Sequence, residues 1–314
     1  MSYSKYPLLK KGKNKQYSLE KYNTEFTIKD MVSPFIPGSG IKSLINSFPD
    51  KKHSIDIVEL IRKMRFARNS DRPIGFYFNS GIISSGLSPL IIDLMERGWI
   101  SSISSDMDFL VMDFETALAG KFVEYYKFNN EGMKIGGIAE ETGLFLNIAF
   151  KEGFKEGAGI GESAAKYLSQ SKFKFNESSI LSKAYSLNIP VTIHSFPGSH
   201  PLQFHQSFDS KIYGIQCEKD YVLFASILSK LNNKGVFAGF NITDNLYKVF
   251  LNSLWLCSQN NIKVDDYFFA IINNGNKEIN LNDFNFIKKE NIFYFKSEPE
   301  IMLPLINSML LSDQ

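Results

Sequence analysis

The sequence predicts a three-layer α/β domain built on a mainly parallel sheet. Three observations predict it. From residue 55 onward, helix-period and short apolar segments alternate, as parallel strands joined by crossover helices require. The strand-like runs are continuously apolar rather than alternating, the pattern of strands covered on both faces. And 314 residues, 44% of them hydrophobic, can bury a large core without disulfides.

The elements follow in order. IDIVELIRKMRFAR (55–68) sets Ile57, Leu60, Ile61 and Met64 on one helical face. PIGFYF (73–78) reads as a strand. Ser88 as N-cap and Pro89 at N1 open a helix that stops at Gly98. Residues 100–104 read as the next strand and 112–120 as a helix. ETGLFLNIAFKEGF and GESAAKYLSQ read as two further helices, and SSILSKAYSLN leads into a strand at 189–194. YVLFASILSKLNN precedes a strand at 235–240, LYKVFLNSLWLCSQ one at 266–272, and a last strand at 291–295 precedes PEIMLPLINSMLL. No internal repeat or low-complexity linker interrupts the run, so 31–314 reads as one domain. Residues 1–30, rich in lysine, read as a basic N-terminal arm, either solvated or binding anions or a neighbouring subunit.

Composition narrows the function classes. The net charge of +2 argues against a nucleic-acid partner. No apolar run is long enough to span a membrane, and MSYSKYPLLKKGKNK has no signal-peptide core, so a cytoplasmic protein is expected. Cys217 and Cys257 form no CxxC pair and read as small core residues.

In sheets of this kind, ligands bind outside the carboxyl ends of the strands. That rule selects 79–86, 105–109, 194–205, 241–245 and 273–278. Three of the four histidines, His194, His200 and His205, fall within one of these segments. They suit a metal site, an acid/base site working near neutral pH, or hydrogen-bonded loop positions; no metal is assigned. Glu140 and Glu141 fit either a helix N-terminus or the recognition of ammonium groups. The glycines 157, 159 and 161 lack dinucleotide-fingerprint spacing and read as a helix-to-helix turn.

Ordered blocks then bring a family into view. They are NSGIISSG running into GLSPLIIDLMERG (79–98), DFETALAG (113–120), AEETG with LN (139–147), GIGESAAKYL (159–168), SSILSKAYSLNIPVTIH (178–194) and EIMLPLI (300–306). Together they resemble the deoxyhypusine synthases, and most closely a bacterial branch of that family. The resemblance implies a Rossmann-like fold, NAD as cofactor, a homodimer or homotetramer with sites at subunit interfaces, and polyamine chemistry through an imine on a lysine. It assigns Ser80, Ser84, Ser85 and Gly86 to the cofactor and His194, His205, Glu140 and Glu141 to catalysis; Glu115, a further matching acid, together with Asp106, Asp108 and His200, which stand where the family has other residues, are expected to contact a ligand, the acids by attracting an amine.

The chain departs from the family at three places. Asn285 stands where the family has its lysine, with Lys277, Lys288 and Lys289 nearby. A glycine-containing cofactor turn is replaced by Ser105-Asp106-Met107-Asp108-Phe109, putting acids and a bulky ring where a pyrophosphate would lie. A second glycine turn becomes Ala238-Gly239-Phe240-Asn241. These changes predict no deoxyhypusine synthesis and weak NAD binding. They leave an amine-binding enzyme, or a binding or assembly protein that has lost its chemistry.

Overall fold

The computed structural model describes residues 34, 36–49, 52–123, 126–129, 132–135, 138–274 and 287–312. The chain divides into two compact units, 1–51 and 52–314. Among the described residues of the first lies one short helix, α1 (Ile41–Asn46). The second carries the sheet.

The elements of this second unit are α2 (Lys52–Asn69), β1 (Ile74–Phe78), α3 (Gly81–Ser84), α4 (Ser88–Glu96), β2 (Ser102–Ser105) and α5 (Met107–Ala119). The hairpin β3 (Tyr126–Asn129) and β4 (Gly132–Ile135) comes next, then α6 (Glu140–Glu156), α7 (Ile160–Gln170), α8 (Ile180–Ser186) and β5 (Val191–Ile193). After them come α9 (Ser210–Lys230), β6 (Val236–Phe240), α10 (Asp244–Gln259), β7 (Phe268–Asn273), β8 (Ile292–Lys296) and α11 (Pro299–Leu311).

The main sheet has six strands, all parallel, in the order β5-β2-β1-β6-β7-β8. Numbered among themselves, these strands run 3-2-1-4-5-6, the order of the Rossmann fold. The order reverses between β1 and β6, where Tyr77 pairs with Gly239 and Phe78 with Phe240. This is the topological switch point, and it fixes where a crevice opens.

Strand periodicity separates the two faces. Tyr77, Phe237, Phe269 and Ile271 pack with Phe224 and Leu228 of α9 and Leu246 and Phe250 of α10. The alternate residues face the other way: Phe76 meets Phe240 at 5.5 Å between ring centroids, and Lys63 of α2 lies over Phe268. Buried area of this kind is worth roughly 25 cal/mol per Å², so these rings hold both layers to the sheet.

The expected strands and helices are present, with shifted ends. Ser88 is the first helical residue of α4 and Leu87 its cap; Gly98 follows at φ +71°. α5 begins at Met107 rather than near residue 112, because Asp106 caps it by accepting the N–H of Phe109 at 2.9 Å. α9 begins at Ser210, where Asp209 Oδ1 accepts the N–H groups of Lys211 and Ile212. The antiparallel hairpin β3–β4, with Asn129 opposite Gly132, is an addition to the elements expected from the sequence.

Candidate functional site

The carboxyl ends of β1, β2, β5 and β6 carry the polar groups that the ligand rule points to. Tyr77 is buried, and its Oη lies 3.4 Å from Thr243 Oγ1. Thr243 in turn caps α10 through the N–H of Leu246. Burial raises the Tyr77 phenol well above its ordinary range, and the nearby Asp106 charge raises it further. Thus Tyr77 and Thr243 meet at the switch point, within the field of Asp106. On the β6 side, Gly239 leaves room for Ile242, whose Cδ1 would lie 2.4 Å from a Cβ added there.

Asp106 and Asp108 occupy the first turn of α5 and the position before it. Burial pushes the Asp106 carboxyl up to about 7, and Asp108 adds to the rise. Asp108 is itself raised by burial. Among the described residues neither acid pairs with a lysine or arginine. Phe109, expected to obstruct a cofactor, is instead a core residue: it is fully buried, with its ring 5.2 Å from that of Phe78. Because 107–109 is helical rather than a loop, the helix turns that ring inward and leaves the carboxylates as the polar groups of the turn.

The histidines divide. His200 is buried, and its Nδ1 accepts the N–H of Leu202 at 3.0 Å. That bond fixes the Nε2–H tautomer, and Nε2 lies 3.4 Å from Asp108 Oδ1. Burial lowers the His200 pKa to about 4, so the ring is neutral near pH 7. His194 packs on Phe224 at 4.7 Å between centroids, bonds Thr192 Oγ1 through Nε2 at 3.1 Å, and is lowered to about 3 by desolvation. His205 lies over Gly143, leaving no space for a Cβ there: its Cδ2 would be 2.3 Å away. It is therefore next to the first turn of α6, where Glu140 and Glu141 are exposed.

Glu115 links this turn to α5. It is buried; its Oε1 accepts the Thr142 hydroxyl at 2.8 Å and its Oε2 the N–H of Val123 at 2.7 Å. Glu115 stands seven residues beyond Asp108, about 10 Å along α5 at 1.5 Å per residue. Two groups thus lie along α5: Asp106 and Asp108 with His200 of the 194–205 loop at its start, and Glu115 further along, bonded to the first turn of α6 that carries Glu140 and Glu141 and packs on His205. Two of the serines are hydrogen-bonded within the chain. Ser84 Oγ donates to Gly81 O at 3.2 Å, and Ser85 Oγ donates to Glu300 of α11 at 2.7 Å. Ser80 precedes α3 without a side-chain capping bond, and Gly86 adopts φ +69° with open space around it. Asn285 and Lys277 lie outside the described residues; Lys288 and Lys289 are exposed.

Sequence reasoning misses two buried carboxylates. Asp113 accepts the Ser179 hydroxyl at 2.6 Å and the N–H groups of Ile180 at 2.9 Å and Leu181 at 3.0 Å, capping α8. Asp220 accepts the N–H groups of Gly161 at 3.0 Å and Ile193 at 2.9 Å, joining α9 to α7 and β5. Burial raises Asp113 to about 6 and Asp220 to about 7. The glycines at 159 and 161 let this happen: a Cβ on Gly159 would meet Asp220 Oδ1 at 1.8 Å, and one on Gly161 would meet Val191 O at 2.2 Å. Among the described residues, no three His, Cys, Asp or Glu side chains converge as a metal ion would need. No described helix is long and apolar enough to cross a membrane.

The fold and site together define a Rossmann-like α/β protein whose switch point is acidic. Neither a protein-family model nor a curated protein matches the sequence. Solved structures do match in fold. A candidate deoxyhypusine synthase from Entamoeba histolytica is similar at TM-score 0.52 and 12% identity, over 90% of this chain and 96% of that one. Unliganded AgrE is similar at TM-score 0.56 and 11% identity, over 85% of this chain and 34% of that one. The apo structure of ArgZ, an arginine dihydrolase from the ornithine-ammonia cycle in cyanobacteria, is similar at TM-score 0.51 and 12% identity, over 85% and 34%. This chain therefore spans about a third of the length of AgrE and ArgZ. At these identities the likeness establishes the fold, which the chain shares with deoxyhypusine synthase-like proteins, and nothing finer.

Proposed function

We propose that this chain uses a deoxyhypusine synthase-like frame to bind a polyamine or related amine at the carboxyl edge of its sheet, without carrying out the aminobutyl transfer. The observation that carries the reading is the acidic start of α5 at the switch point: the Asp106 charge acts on the Tyr77 phenol, Asp108 acts on Asp106, and no lysine or arginine pairs with either acid among the described residues. An ammonium group supplies that balance, and in a partly buried site a close opposite charge is worth roughly 4 kcal/mol at an effective dielectric near 20. The same arithmetic opposes the pyrophosphate of NAD, so NAD is the weaker ligand in this reading.

The second reading, a binding or assembly protein without catalysis, is favoured by one observation. Asp113 and Glu115, retained from the family-like DFETALAG block, are spent on Ser179, Ile180, Leu181, Thr142 and Val123. Retention of those motif residues follows from the frame and requires no reaction. Denaturing the purified protein and identifying co-released small molecules by mass spectrometry tests both readings. A polyamine supports amine binding, whereas stoichiometric NAD restores the oxidoreductive enzyme.

A further inference from the structure

A hollow of about 310 Å³ lies away from the carboxyl edge, where the chain enters β5. It falls within the range of roughly 300–1,000 Å³ typical of small-ligand sites. Ala165 and Val191 are its buried apolar residues, and Ile189, Pro190 and Leu223 are half-buried around them. Its polar lining is Glu162, Tyr185 and Asn188, so Glu162 is the one charged group among the lining residues. Lys166, one turn further along α7, is held by Glu156 at 2.5 Å, and Glu162 makes no ion pair among the described residues.

We infer that this hollow is a second binding site, for a small aliphatic cation whose ammonium meets Glu162 and whose chain lies on Pro190, Val191 and Leu223. The apolar wall gives a short alkyl chain surface to cover, and the carboxylate at the rim selects the sign of the head group. Because Glu162 is exposed, the charge contributes selectivity more than affinity, and binding is expected in the millimolar range. The site shares no residue with the acidic switch point.

The test uses the full chain with methyl-labelled Ile, Leu and Val, titrated with n-butylammonium, n-butanol and n-butyrate. The inference expects saturable shifts of the Leu223, Ile189 and Val191 methyls. Butylammonium should bind about threefold to fivefold more tightly than butanol, with butyrate weakest. Glu162→Gln should abolish the preference for the cation, and Leu223→Trp, which fills the hollow, should remove all three responses. An Asp106→Asn/Asp108→Asn double variant should leave these shifts unchanged, so this site and the carboxyl-edge site fail separately. Absence of saturable shifts, equal affinity for the three probes, or a preference that survives Glu162→Gln would overturn the inference.

Discussion

Asp220, in the middle of α9, accepts the N–H of Gly161 in the first turn of α7 at 3.0 Å, and its other oxygen lies against Gly159. The contact joins residues 59 apart in sequence. It makes Gly159 and Gly161 steric requirements of the frame. Gly161→Ala would drive a Cβ against the Val191 carbonyl, so it should destabilise by at least about 2 kcal/mol. Gly214→Ala, in α9 with open space around it, should instead stabilise by up to about 1 kcal/mol. Urea unfolding of both variants checks the contrast; equal effects would contradict it.

The same carboxyl sets a pH dependence. In the fold, burial holds Asp220 near 7, above its ordinary value of 3.8. A group raised in this way contributes stability that is present below the unfolded value and lost as pH rises through the folded value. Asp220→Asn does not titrate, so its advantage over the wild type should grow between about pH 4 and pH 7, by up to about 1.4 kcal/mol per pH unit, and then level off. Melting temperatures of both proteins across that window provide the measurement. An advantage that shrinks as pH rises would contradict the raised carboxyl.

Deoxyhypusine synthesis should be absent. Asn285 is an amide and cannot form the imine that carries the transferred fragment. Incubation with labelled spermidine and a precursor translation factor should give no incorporation. Incorporation at an enzymatic rate would mean that Lys277, Lys288 or Lys289 serves instead.

A homodimer or homotetramer is expected, with 105–115 and 194–205 near the subunit interface. In the second segment Phe196 is 49% exposed and Phe204 77% exposed, while Ser195, Ser199 and Gln203 hold the loop in one shape by mutual hydrogen bonds. A rigid loop displaying two rings loses little entropy on docking. Light scattering should report two or four chains, and Phe204→Ser should shift it toward one. A monomer at micromolar concentration would contradict the expectation.

Much of the frame is legible in the sequence because its signals are local. Ile57, Leu60, Ile61 and Met64 repeat at helical spacing and are buried as that spacing requires. The apolar runs ending at Phe78, Phe240 and Ile272 form strands buried along their length. The start of α5 is harder to read, because SDMDF aligns with a cofactor turn, although Asp106 three residues before Phe109 is also an ordinary N-cap spacing. Asp113 and Asp220 are illegible as backbone acceptors because their partners lie 27 to 68 residues away. The site is legible only as a set of segments: the topology rule chooses the right sheet edge, but which side chains are spent on caps depends on packing that no local pattern encodes.

If the acids at the switch point bind an amine, calorimetry with spermidine will register it. The wild-type protein should bind spermidine with a measurable heat, more tightly at pH 8 than at pH 6, because Asp106 ionises near 7. Asp106→Asn/Asp108→Asn should weaken binding by at least about tenfold, about 1.4 kcal/mol, while NAD binds the wild type no more tightly than about millimolar, about −4 kcal/mol. No spermidine heat at either pH, an undiminished affinity in the double variant, or micromolar NAD binding would contradict an amine site at these acids.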